Sequence, residues 1–86
     1  MIRKSLILAY AIGEGAESIT FSSWKQIHMH LFEHGLYSTF QVFDVTGEIV
    51  LSYTETEKGC YTLNWSDSVP GSVLFEIVNR HASAQL

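Results

Sequence analysis

Eighty-six residues with nine acidic and five basic side chains, 47% hydrophobic and 13% aromatic, describe one small domain spanning residues 1–86. That apolar and aromatic content excludes a chain that stays unfolded, and a single cysteine excludes a disulfide scaffold. A net charge of -4 argues against direct binding of a nucleic-acid backbone.

Met1-Ile2-Arg3-Lys4 followed by the apolar run Ser5–Ile12 mimics a signal peptide. The run is short, Glu14 follows almost at once, and its removal would delete the best strand candidate, so residues 5–12 read as a buried strand. No run approaches the roughly 18 apolar residues of a membrane helix. A lone Cys60 fits a reducing, cytoplasmic compartment.

Gly13–Ser18 reads as a loop by composition, and Ile19-Thr20-Phe21 as a short extended lead into a helix. The helix is predicted at Ser23–His34. Ser23 and Gln26 have capping-box spacing, and Gly35 is a natural stop. Trp24, Ile27, Leu31 and Phe32 form its core-facing stripe; Lys25, Gln26, Met29 and Glu33 form its wet face.

From Ser38 the period becomes two. Thr39–Val45 is a strand, Thr46-Gly47 a turn, and Glu48–Thr54 a strand with Ile49, Leu51 and Tyr53 on one face. Glu57-Lys58-Gly59 is a turn, and Tyr61, Leu63 and Trp65 alternate in the next strand. Ser66–Gly71 is a loop. Val73, Phe75 and Ile77 alternate against Glu76 and Arg80 in a last strand, with an unpatterned tail from His81. The expected class is α+β: one antiparallel-rich sheet of four to five strands, order β-α-β-β-β-β, with one helix packed on one face. The far face of the sheet should carry Gln41, Ser52, Thr62, Asn64 and Glu76, with an apolar spot at Phe43 and Val45.

Chemistry-bearing patterns are few. His30 and His34 are four apart on one helix flank, a spacing that suits two imidazoles on a metal, but no third ligand is evident. Glu33 sits between them, so this is not the His-Glu-x-x-His order; no metal and no cofactor is expected. His28 reads as a hydrogen-bonded, half-buried residue that points toward the sheet. Cys60 has no helix N-terminus behind it to activate the thiol. Gly13-Glu14-Gly15 lacks the third glycine of a dinucleotide loop. No catalytic residue is assigned, and an enzyme is not expected.

Following successive reversals of the chain gathers Glu14, Glu17, Asp44, Glu48 and Asp67 at one end, as a partner-binding acidic surface. Arg3, Lys4, Lys58 and Arg80 fall at the other end, beside Glu33, Glu55 and Glu57. In size, charge and poverty of motifs the chain resembles the small acidic proteins of phages and mobile elements that block a host machine, anti-CRISPR proteins among them. That resemblance implies a non-catalytic protein-binding module that sterically covers a basic, nucleic-acid-binding surface of a host protein. The alternatives are a small metal-dependent or enzymatic domain using the helix histidines, and a structural or regulatory subunit that forms a homo-oligomer through a sheet edge.

Overall fold

The computed structural model describes residues 5–57 and 59–84. Arg3, Lys4 and Lys58, placed above at the basic end, lie outside the described residues. Seven elements follow in order: β1 (Leu6–Ile12), β2 (Gly15–Phe21), α1 (Trp24–His34), β3 (Thr39–Phe43), β4 (Ile49–Glu57), β5 (Cys60–Trp65) and α2 (Gly71–Ala84). The five strands form one antiparallel sheet ordered β2-β1-β3-β4-β5. The α+β class with an antiparallel sheet therefore holds, while the element order differs from expectation in two places.

The first difference is at Gly13–Ser18, which is not a loop. Ile12 pairs with Gly15, so Gly13-Glu14 is a two-residue hairpin turn, and Leu6 to Ile12 pair through to Phe21. Gly13 has φ +56 and Glu14 has no positive φ, the pattern of a turn with glycine in the first central position. Glu17 and Ser18 have low strand propensity, yet β1 supplies the pairing and the tertiary context overrides composition.

The second difference is the last strand, which is the helix α2. Pro70 stands at its entry, and its carbonyl accepts from Val73 and Leu74. Val73, Ile77 and His81 are buried at i, i+4 and i+8, whereas Phe75 is 72% exposed. His81 is thus part of the core and not a frayed tail, and Glu76 belongs to a helix flank and not to the sheet's far face.

α1 begins at Ser23, whose hydroxyl accepts from the Gln26 N–H while the Gln26 side-chain oxygen accepts from the Ser22 N–H. Gly35, at φ +93, donates to the Leu31 carbonyl and ends it. Ile27 and Leu31 are fully buried and Trp24 half-buried, but Phe32 points away from the core and is 56% exposed. The helices run parallel over one face of the sheet. The Glu76 carboxylate meets His28 Nε2 at 3.1 Å and Arg80 Nε at 2.8 Å, and the Arg80 guanidinium also donates to the Phe32 carbonyl and stacks on the Phe32 ring. His28 is hydrogen-bonded and half-buried as expected, but it reaches α2 and not the sheet, because the second helix lies beside α1.

The core lies between the helices and the inward rows of the sheet: Leu8, Tyr10, Phe40, Val42, Leu51 and Tyr53. Gln41, Ser52 and Asn64 stand across from one another on the open face, as the alternation requires. Between Val42 and Phe43 the register shifts, so Phe43 pairs with Ile49 and the bulge sends both Val50 and Leu51 inward. Ile49 is consequently exposed beside Phe43, correcting its expected place with Leu51 and Tyr53. Val45 is in the turn, bordering a groove with Leu6, Trp24 and Val50. It does not share the open face with Phe43.

Candidate functional site

The extra hairpin adds one reversal near the start of the chain and inverts the direction of every later element. Call the end reached by the β1–β2 turn the upper end. α1 then ascends, β3 descends against β1, β4 ascends, β5 descends and α2 ascends. Glu14 and Glu17 are at or near the upper end. Asp44, Glu48 and Asp67 are at the lower end with Lys25, so the five acids expected together are divided two and three. The upper end gains Glu33 at the close of α1 and Glu55 and Glu57 at the close of β4. Arg80 also ascends there, already bound to Glu76 and the Phe32 carbonyl. Glu33, Glu55 and Glu57 share an end with Arg80 as expected, but it is the end of Glu14 and not the one opposite; the glycine in a two-residue gap between two apolar-containing runs is the signal that places them there.

At the lower end Asp44 organises a turn and is not a free acid. Its Oδ1 accepts from the Thr46 hydroxyl at 2.6 Å, the Thr46 N–H at 2.9 Å and the Glu48 N–H at 3.1 Å. The Thr46 hydroxyl above all, and the backbone donors with it, hold the carboxyl below its usual range against the opposing effect of burial.

The upper end surrounds a cleft of 410 Å³ lined by Tyr37, Tyr53, Glu55, Arg80 and His81, with the Gly35–Ser38 segment as one wall. Glu55 is held there by its own N–H, which donates to the Ser38 carbonyl. Deeper in, the Tyr53 hydroxyl and His81 Nδ1 are 2.9 Å apart. His81 is buried, and its Nε2 has no hydrogen-bond partner among the described residues. Burial raises the Tyr53 hydroxyl above its ordinary range, and the charge of Glu55 adds to that.

Behind the cleft wall the rings stack. Tyr37 lies between Tyr10 at 4.1 Å and His34 at 4.6 Å, and His30 lies 5.4 Å from His34 with the planes nearly parallel. His30 Nε2 is 2.7 Å from the Tyr37 hydroxyl, and the Tyr10 hydroxyl donates to Glu17 at 3.2 Å. Burial raises both tyrosine hydroxyls, Glu17 adding to the effect at Tyr10 and the Tyr10 hydroxyl adding to it at Tyr37. Stacked imidazoles present faces to each other, and one of the two has a nitrogen already bonded to a phenol. That geometry does not converge on an ion. Among the described residues no three His, Cys, Asp or Glu side chains are grouped to hold a metal ion. Cys60 is exposed at the start of β5, opposite Glu57. No helix among the described residues is long and apolar enough to cross a membrane.

Burial lowers the His30 imidazole below its usual range, with the charge of His34 acting in the same direction and Glu33 opposing. Between that folded value and the unfolded value of about 6.5, the unfolded chain binds more protons at this ring than the folded one. Stability from this site is complete above about pH 6.5 and is lost as pH falls through the folded value. The urea midpoint should therefore be lower near pH 5 than near pH 7.5, and His30→Gln should shrink the difference. Equal pH dependence in parent and variant would assign the effect to other groups.

No protein family matches the chain, and no curated protein and no solved structure is detectably similar to it.

Proposed function

We propose that the protein is a non-catalytic binding module that covers a basic, nucleic-acid-binding surface of a partner protein through its upper end. The observation that carries this reading is the composition of that end: Glu14, Glu17, Glu33, Glu55 and Glu57, against Arg80 as the one described base, already bound to Glu76. Such an end attracts a positive patch at long range and repels nucleic acid itself. The cleft in its middle has the exposed Glu55 carboxylate on its rim, a charge that attracts a lysine or arginine side chain from the partner, with Arg80 opposite and held by Glu76. The inhibitor role and its phage-like setting rest on the resemblance in size, charge and motif poverty alone.

Charge complementarity of this kind acts mainly on the association rate and is screened by salt. The test is affinity capture from lysate at low and high salt with the parent and with Glu33→Lys/Glu55→Lys/Glu57→Lys, identifying captured proteins by mass. The expected result is a basic partner held by the parent at low salt, with association slowed about tenfold or more in the variant. A variant that captures the same partner at the same rate, or a parent that captures none, removes this reading.

A further inference from the structure

We infer that two copies of this chain associate through β5 and α2, making one continuous ten-stranded sheet with the two α2 helices antiparallel across its middle. This inference concerns a different surface from the acidic end and does not depend on it. Three observations on the same side of the molecule carry it.

β5 is an edge strand with nothing on its outer side, among the described residues. The Ser66 N–H donates to the Val50 carbonyl on β4. Backbone direction alternates along a strand, so Asn64 and Thr62 also face β4, and Tyr61, Leu63 and Trp65 direct their backbone groups outward. The strand has no Lys, Glu, Asp, Arg or Pro along its length, so the usual defences of an edge are missing. The opposite edge, β2, does carry one: the charged Glu17, on the helix-covered face and bound to Tyr10.

The helix above β5 is apolar on its outer flank as well. Glu76 and Arg80 reach α1, which fixes the flank of α2 that faces inward along the sheet. At about 100° per residue, Val78 falls on the flank away from α1, toward the β5 edge, and Ala82 and Phe75 lie between that flank and the side opposite the buried row Val73, Ile77 and His81. Phe75 is 72% and Val78 45% exposed, and Trp65 on β5 is 55% exposed. Trp65 on the unpaired strand and Val78 and Phe75 on the helix above it are thus apolar side chains left in water on one side of the molecule.

The occupant follows from symmetry and charge. A two-fold axis through Leu63 pairs that residue with its own copy and sets Tyr61 of one chain against Trp65 of the other. All three present the backbone groups that are free at the edge, which gives six new backbone hydrogen bonds. The same operation lays one α2 antiparallel to the next, apolar flank to apolar flank, as an isologous contact demands. No acidic side chain lies on β5 itself or on that flank, so the net charge of -4 is not concentrated at the contact. The contact runs about 20 Å along strand and helix through two layers about 10 Å apart. Both copies together bury on the order of 1,000 Å², the threshold for a specific interface.

Sedimentation velocity of the full chain from about 1 µM to about 100 µM, the range where an interface of this size is measurable, tests the inference. The expected species has twice the chain mass. Phe75→Glu/Val78→Glu replaces exposed side chains, should keep the far-ultraviolet circular dichroism of the parent, and should weaken self-association at least tenfold. A parent that is monomeric throughout, or a folded double variant that dimerises as tightly as the parent, overturns the inference. A second measurement does not depend on that variant folding: Leu63→Cys in a Cys60→Ser background should oxidise to a covalent dimer across the axis, whereas Thr20→Cys on β2 in the same background should not. No cross-link at residue 63, or equal cross-linking through β2, also overturns it.

Discussion

Leu31→Ala should destabilise the protein by about 2–5 kcal/mol, out of the roughly 4–13 kcal/mol expected for a chain of this length. Leu31 has no exposed surface, and it belongs to a core cluster with Ile27, Leu8 and Tyr10 that sits under both helices. Removing three carbons there leaves a cavity that the sheet on one side and α2 on the other keep from closing. Each kcal/mol corresponds to about 4–8 °C in the thermal midpoint at this size, so the fall should be plain in a melting curve. Phe32→Ala is the internal control. Phe32 is 56% exposed and serves chiefly as the ring on which Arg80 rests, a contact worth about 0.5–1 kcal/mol at such a site. If both variants melted alike, the helix would have to be rotated from the orientation described here.

That contrast also shows where the sequence is legible. Trp24, Ile27 and Leu31 recur at helical spacing between a capping serine and a terminating glycine, and all three turn toward the core. Phe32 looks equivalent on a helical wheel, but it sits at the border of the stripe, where the neighbouring helix decides. That helix is not legible in its own residues, because Val73-Leu74-Phe75-Glu76-Ile77 satisfies a period of two as well as a period of 3.6. Four apolar positions in so short a run cannot separate the two. The deciding features lie outside it: Pro70 at the entry and His81 at i+8 from Val73. The divided acidic residues have a different cause. Glu14, Asp44, Glu48 and Asp67 lie in or beside turns, as their composition suggests, whereas Glu17 lies within β2, and the position of each in space depends on counting reversals. One missed turn at Gly13-Glu14 therefore transfers every later loop to the other end while leaving the class of fold unchanged.

The nature of the last element has a direct test in Val78→Pro, which should cost about 3 kcal/mol or more. Val78 is near the middle of α2, 45% exposed and on the flank away from α1, so its side chain contributes little to the core. The damage comes from the backbone. In a helix the Val78 N–H donates to the Leu74 carbonyl, and proline removes that donor and drives its ring against the same carbonyl. In an edge strand an outward-facing N–H has no partner, and proline there is tolerated. Val78→Ala separates the side chain from the backbone, because alanine has the higher helix propensity and loses little packing at so exposed a site, so its stability should be within about 0.5 kcal/mol of the parent. Self-association at the α2 flank would add a concentration-dependent component to both variants, and denaturation at low protein concentration removes it. A large loss for proline together with near-neutrality for alanine is the signature of a helix over residues 71–84. Similar, small effects for both would return this segment to the sheet, and with it Glu76 and Arg80, leaving the His28–Glu76 bond between the helices without a basis.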